Sequence, residues 1–364
     1  MGPGVNAGIE YAPTADDRYN IGYHRDPFRA SSPSMPYLLT GTDLGNVVLG
    51  ARHRFNDQWA MYNENNFDLF GERRALTETY GVEYTPTLNW KFDGAFEAGR
   101  VIDNTINSFT GLKNPDIYRD AGSISAVYHD KAGLDGKAKG EVRWDYSEDG
   151  TSNVMAYLLQ VGASAKMWRD WRALADLDVV LSTASDDTLD STYVSGVIGA
   201  AYRPVLNDRL NALVKYQYLY DNPGSGQVTI DGSTDSPAQI SHIFSADATY
   251  AVNEKFSVGA KYAVRIGEIK DRTLGADWTN SQAHLGILRV DYHILNAWDA
   301  MAEGRALWSP TNNSTDYGFV AAIYREVSDN FKVGVGYNFG DFSDDISHIN
   351  HNNHGVFVNL IGKF

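Results

Sequence analysis

Apolar and polar residues alternate with a period of two from one end of this chain to the other, and this limits its fold more than any other feature. In 255–266, Phe256, Val258, Ala260, Tyr262, Val264 and Ile266 point one way, while Lys255, Ser257, Gly259, Lys261, Ala263 and Arg265 point the other. In 331–339, Phe331, Val333, Val335, Tyr337 and Phe339 oppose Lys332, Gly334, Gly336 and Asn338. In 297–308, Trp298, Ala300, Ala302, Gly304, Ala306 and Trp308 oppose Asp299, Met301, Glu303, Arg305 and Leu307. Successive side chains of a strand point to opposite faces, so each run reads as a strand with one apolar and one polar face. No stretch shows a comparable helical periodicity.

The runs predict roughly 19 strands, near 4–13, 18–26, 44–55, 58–71, 75–86, 89–103, 121–132, 136–148, 153–166, 169–184, 192–204, 208–221, 238–251, 255–269, 281–294, 297–309, 315–327, 331–343 and 354–364. Tight connections (Asn56-Asp57, Thr87-Leu88, Leu134-Asp135, Asn207-Asp208, Asn253-Glu254, Asn296, Asp329-Asn330) take turns with longer ones (27–43, 104–120, 222–237, 270–280, 344–353). This is an antiparallel up-and-down meander with short turns at one end and longer loops at the other.

A soluble sandwich would also alternate, but its strands average about 5–6 residues and these are much longer. Lysine, arginine, aspartate and glutamate share the polar face, as in a wet lumen. Trp59, Trp90, Trp168, Trp171 and Trp298 all flank a short turn, with Phe55, Phe256 and Phe331 beside them. Amphipathic rings gathered at one rim mark a lipid interface. The fold expected is therefore all-β, a transmembrane barrel of about 18–20 strands occupying 1–364 as one domain. Composition agrees: 43% hydrophobic residues exclude a disordered chain, and a net charge of −15 argues against a nucleic-acid partner. The absence of cysteine excludes disulfides, thiolate-ligated metals and a thiol nucleophile. No run of about 18 apolar residues suggests a membrane helix.

The final segment, His354-Gly-Val-Phe-Val-Asn-Leu-Ile-Gly-Lys-Phe364, ends on an aromatic residue, with Val356, Val358, Leu360 and Phe364 on one face. It resembles the terminal strand of Gram-negative outer-membrane barrels. That resemblance implies outer-membrane location, contact with the bilayer and lipopolysaccharide, and reading of this strand by the barrel assembly machinery. A narrower resemblance rests on Val333-Gly-Val-Gly-Tyr-Asn-Phe-Gly-Asp-Phe-Ser-Asp-Asp345 and the strand after it. This region is similar to the C-terminal barrel of large, poorly characterised proteobacterial surface proteins, which implies an upstream domain or partner protein and assigns no activity.

The inward faces are expected to carry Arg52, Arg54, Lys91, Lys137, Lys139, Arg143, Arg172, Lys215, Lys255, Lys261, Arg265, Arg289, Arg305 and Lys332. Glu83, Asp93, Glu97, Glu141, Asp145, Asp176, Asp178, Asp247, Asp291, Asp299 and Glu303 oppose them. Two readings follow. One is a mixed-charge conduit for small polar solutes or a polypeptide; the other is a structural anchor whose interior ion pairs only keep the wall rigid. Asp176/Asp178 and Asp93/Glu97 share faces through strand geometry alone, so no catalytic pair is assigned. His293 beside Asp291 lacks a serine in a nucleophile elbow and reads as a histidine paired across strands. The loop 341–354 holds three histidines and three aspartates in no metal-site spacing, and Gly224-Ser-Gly226 lacks the lysine of a phosphate cradle. No metal, cofactor or enzymatic activity is assigned.

Lys261, Arg265, Glu303, Arg305 and Lys332 are expected inside and Tyr262, Val264, Ala302 and Val335 in lipid, with Trp59, Trp90, Trp168 and Trp298 at one height. Phe364 at the periplasmic side would make 344–353 an outer loop. Bacterial barrels normally have an even strand number, so a count of 19 leaves one strand unaccounted for. Either a strand around Tyr37-Leu38-Leu39 is missed, or 1–17 lies outside the wall, or the chain is a C-terminal fragment, which is the reading favoured.

Overall fold

The computed structural model describes residues 5–25, 45–68, 73–104, 111–150, 153–183, 189–206, 209–222, 237–271, 276–295, 297–328, 331–340 and 355–362, together with Ile106, Phe342 and Ile346. The elements are β1 (Val5–Tyr11), β2 (Asp17–Arg25), β3 (Gly45–Arg54), β4 (Trp59–Asp68), β5 (Arg73–Tyr84), β6 (Trp90–Asp103), β7 (Ile117–His129), β8 (Leu134–Ser147), β9 (Asn153–Lys166) and β10 (Trp171–Thr183). They continue with β11 (Leu189–Tyr202), β12 (Leu210–Asn222), β13 (Ala238–Asn253), β14 (Phe256–Lys270), β15 (Thr279–Leu295), β16 (Trp298–Ser309), β17 (Ser314–Ser328), β18 (Phe331–Asn338) and β19 (Gly355–Gly362). All 19 belong to one antiparallel up-and-down sheet. β1 pairs with β2 from Val5↔Arg25 to Tyr11↔Tyr19, so the first strand is in the sheet and the reading that leaves 1–17 outside it is overturned. Tyr37-Leu38-Leu39 and Gly224-Ser-Gly226 lie outside the described residues.

The chain divides into two compact units. The first comprises 1–163, 176–195 and 221–238, and the second 164–175, 196–220 and 239–364. In the second, Tyr262 and Ile266 on β14 are 53% and 50% exposed, while Ala263 and Arg265, on the other face, are 1% and 4% exposed. The neighbouring strands follow through their register. Tyr262 faces Gly286, and Gly286 faces Ala306, whereas Arg265 faces Ala283 on the covered side. The first unit repeats the pattern: Tyr80, Val82, Phe92 and Phe96 are exposed, and Ala75, Val101, Ala121 and Arg119 are buried. A water-soluble sheet shows its polar face and hides its apolar one. This sheet does the reverse, as a wall surrounded by hydrocarbon must.

Asparagine and aspartate side chains shape the short turns by accepting backbone hydrogens two or three residues on. Asn56 Oδ1 accepts from the amides of Gln58 and Trp59, and Asn253 Oδ1 accepts from Lys255. Between β7 and β8 the turn falls at 130–133 and not at Leu134-Asp135. Asp130 Oδ1 accepts from the Leu134 amide, and Gly133 takes the left-handed φ of 93° that closes the turn. β7 also starts at Ile117, four residues before the alternation was read to begin.

That early start is anchored by Asp116, whose side chain is 4% exposed. It accepts from Arg100 Nη2 (2.7 Å), the Asp103 amide (3.1 Å) and Lys113 Nζ (3.3 Å). Burial pushes its carboxyl up, but these hydrogen bonds outweigh burial and hold it below the ordinary aspartate value. A depressed carboxylate stabilises the folded state above its unfolded pKa of about 3.9, and that contribution is lost as pH falls through the depressed value. Asp116→Ala is expected to speed hydrogen exchange of the Asp103 amide about tenfold at pH 7. Acidification through that depressed value should open the stretch around Asp116 to an acid protease in the wild type. In the variant the segment should already be open at neutral pH.

Candidate functional site

The candidate site is the polar face, where inward-pointing positions of neighbouring strands bring opposite charges together. In the first unit, Glu83 on β5 joins two strands. Arg52 Nη2 reaches its Oε2 at 2.6 Å and Lys91 Nζ its Oε1 at 2.9 Å. Beside it, the Tyr62 hydroxyl donates to Asp93 at 3.2 Å. Arg54 is drawn to the turn and binds Asp16 at 2.8 Å. Farther along, Arg119 donates through Nε and Nη2 to the two oxygens of Asp145, both at 2.7 Å, and approaches Glu97 at 3.8 Å. Glu141 bridges Lys139 (2.8 Å) and Arg143 (2.7 Å). Asp176 meets Lys137 at 3.0 Å, and Asp178 accepts from Gln160 at 3.0 Å. The carboxylates that share faces are thus each engaged with a different donor.

In the second unit, Arg289 grips Asp291 on its own strand through Nε (2.9 Å) and Nη2 (2.8 Å). Arg305 Nε meets Glu303 at 2.5 Å. Asp299 joins two partners: His293, its register neighbour, at 2.5 Å, and Lys332, whose ammonium also lies 5.5 Å from the Tyr324 ring centroid. His293 therefore pairs across strands with Asp299 and not with Asp291. Arg289, Asp291, His293, Asp299 and Lys332 line a recess of about 560 Å³ near the short turns. Arg265 binds no carboxylate in the described network; its Nε donates to Ser241 Oγ (2.9 Å) and its Nη2 to Gln239 Oε1 (2.7 Å). Lys215 shares the side of β12 that carries the fully buried Leu219, and Lys261 shares the side of β14 with Arg265. Among the described residues, no group of three or more metal-ligating side chains is arranged to hold an ion. His348, His351 and His354 lie outside the described residues.

The opposite face carries rings at both strand ends. In the first unit, Trp59 stacks on Tyr84 at 4.3 Å, and Trp90 contacts Phe92 and Tyr128 at the short-turn end. At the long-loop end, Trp144 meets Tyr146 at 4.6 Å and Tyr146 stacks on Tyr118. Tyr128 and Tyr118 are ten residues apart on β7. Ten residues span about 33 Å along a strand, or about 25 Å across a membrane at a tilt near 40°, which matches the apolar band of an outer-membrane barrel. In the second unit, Trp171 packs on Tyr202, and Trp298 lies under Arg325 at the short-turn end. Trp308 stacks on His284 at the other end, and Trp168 lies in the turn 167–170. Between Trp298 and Trp308 the apolar face of β16 bears only Ala300, Ala302, Gly304 and Ala306. The sequence reading named rings of the short-turn end and did not name the second band.

On β19, Val356 and Val358 are exposed on the apolar face. Phe364 lies outside the described residues.

No protein-family model matches the sequence, and no curated protein matches it. Solved structures do share its fold. The siderophore receptor PiuA from Acinetobacter baumannii aligns with 98% of this chain and 73% of its own, at a TM-score of 0.55 and 10% identity. The ferric citrate transporter FecA in its unliganded form aligns with 98% of this chain and 68% of its own, at 0.53 and 13%. The copper transporter OprC aligns with 88% and 62%, at 0.53 and 9%. The chain thus spans about two thirds of the length of these proteins. Such identities speak to fold, and with the two ring bands and the mainly apolar face between them the fold is that of an antiparallel transmembrane β-barrel of the Gram-negative outer membrane.

Proposed function

We propose that the chain forms a polar conduit through the outer membrane for small solutes or an exported polypeptide. Its lining would be Arg52, Arg54, Lys91, Glu97, Lys139, Arg143, Asp176, Asp178, Lys215, Lys261, Arg265, Arg289, Glu303, Arg305 and Lys332. The observation that carries this reading is the concentration of charge on one face of the sheet in each unit; Glu78, Arg100 and Asp120 on the other face of the first unit sit beside tyrosines. A wall that only had to stand in lipid needs no such investment of ionisable groups on its other side. The transporters and receptors among the proteins of the same fold support the class, as their names describe them. The bilayer and lipopolysaccharide would surround the apolar face, and the barrel assembly machinery would read β19.

A second reading is an anchor for an upstream domain or partner protein, in keeping with the resemblance of the last strands to the barrels of large surface proteins. The pairing of Arg52, Lys91, Arg119, Arg289 and Lys332 with carboxylates favours it, because ion pairs that satisfy one another rigidify a wall. Single-channel recording on the reconstituted barrel separates the two. A conduit gives unitary conductance steps with weak ion selectivity. An anchor gives a silent bilayer from barrel that still migrates as folded on unheated gels.

A further inference from the structure

The polar face of the second unit changes character along the strands. Toward the short turns it is charged, with Arg289, Asp291 and Asp299. Toward the long loops it is apolar, with Leu285, Ile287 and Leu307 at 1%, 6% and 5% exposure. A water-filled wall has no use for such a patch, since apolar surface left in water is disfavoured. The patch is not left in water. The chain leaves β18 at Asn338, the Phe339 amide still donates to the Phe319 carbonyl at 2.8 Å, and beyond it the side chains of Phe342 and Ile346 pack against the wall. Phe342 (3% exposed) and Ile346 (5%) join Leu285, Ile287 and Leu307 in one buried cluster. The strand expected to reach residue 343 ends early for this reason, and Phe342 and Ile346 are covered where the sequence reading expected strand end and outer loop.

We infer that Phe342 and Ile346 form a built-in stopper, docked on the inner wall, that narrows the proposed conduit on this side. Three contacts define the dock. Phe342 and Ile346 supply the apolar seal. Arg305 Nη1 donates to the Phe342 carbonyl at 3.3 Å, where the charged and apolar parts of the wall meet. Gly318 lets the segment approach closely: a Cβ there would fall 3.2 Å from Gly340 Cα and 3.5 Å from the Phe342 ring. The inference rests on the conduit reading for its consequence, but the docking itself has an independent readout.

The chain has no cysteine, so Leu285→Cys places a single thiol beneath the stopper. In the folded barrel, a water-soluble maleimide is expected to label this thiol about tenfold more slowly than in the same barrel carrying Phe342→Asp and Ile346→Asp, because a buried charge drives the segment off the wall. Gly318→Val, which crowds the dock without adding charge, should speed labelling in the same direction and stands in if the aspartate pair does not fold. Equal labelling rates in folded parent and folded variants overturn the stopper. In single-channel recording the released variants should show a several-fold larger unitary conductance. Unchanged conductance in variants whose labelling has risen overturns the narrowing while leaving the dock. Silence in parent and variants alike, with labelling still increased on release, overturns the conduit and keeps the docked segment.

Discussion

An arginine in place of Leu288 is expected to cost about 2–4 kcal/mol of folded stability in lipid, measured by denaturant titration of the barrel in phospholipid vesicles. Leu288 is 67% exposed, and its register neighbours Ala260 and Gly304 are small, so the side chain stands clear of the wall. Gly304 lies between Trp298 and Trp308 on β16, which puts Leu288 near the middle of the apolar band. A guanidinium there has neither water nor a carboxylate on its own face. The cost should fall to about 0–1 kcal/mol for Tyr292→Arg, two same-face positions nearer the interface ring of Trp298. Thr249→Arg, on the opposite face of β13, should change stability by less than about 1 kcal/mol, because that side chain meets water and charged neighbours. Equal costs at Leu288 and Thr249 would mean that the two faces are not in different solvents.

Strand by strand, the fold was legible because period-two alternation is a local signal that each segment carries alone. β9 falls at Asn153–Lys166, as read, and β14 and β16 within one residue of their expected bounds. The errors fall where a contact from elsewhere decides. β7 extends back to Ile117 because Asp116 gathers Arg100, Lys113 and the Asp103 amide, and nothing within 117–120 announces that. Continuing the alternation of Ala121, Ser123 and Ser125 backward would have found Arg119. The turn at 130–133 was misplaced because Ala132-Gly133 reads as either strand end or turn until Gly133 adopts its positive φ. β18 was overextended because Phe339 continues the lipid-facing row and alternation does not say where that row stops; Phe342 is out of phase with it and lies in the buried cluster.

The charged face was legible as a list of residues and illegible as a network. Alternation says that Lys332 and Asp299 share a side, but β16 and β18 are separated by β17, and their meeting depends on side-chain reach across a strand. The same holds for Arg52 and Glu83, with β4 between them. Pairs two residues apart on one strand, such as Arg289 with Asp291 and Arg305 with Glu303, were within reach of the sequence because their spacing alone puts them on one face. The apolar patch was hidden for a different reason. Leu285, Ile287 and Leu307 sit on strands whose other face is also apolar or small, so hydropathy could not tell their two sides apart.

The largest effect on the charged face is expected at Asp145. Asp145→Ala removes both of the 2.7 Å hydrogen bonds to Arg119, a guanidinium whose side chain is 1% exposed. Breaking a buried ion pair from one side costs about 3–5 kcal/mol, because the remaining charge keeps its desolvation and loses its partner. Glu97, 3.8 Å away, can take up part of the load, which puts the expectation near 3 kcal/mol. Arg143 pulls the other way. It stands one inward position along β8 from Asp145, opposite Ala121, so the loss of the carboxylate leaves two guanidiniums close together, with Glu97 and Glu141 beside them. Arg119→Met combined with Asp145→Leu should recover most of the loss, since apolar replacement of a buried pair is often close to neutral. The coupling energy of the double-mutant cycle, from the same titration in vesicles, should therefore exceed about 1.5 kcal/mol. A cost below about 1 kcal/mol for Asp145→Ala, as at exposed pairs, would mean that water reaches Arg119 and that this face is wetted to the depth of β7. The conduit reading would then gain its most direct support in the first unit, and the anchor reading would lose the rigid ion pair on which it most depends.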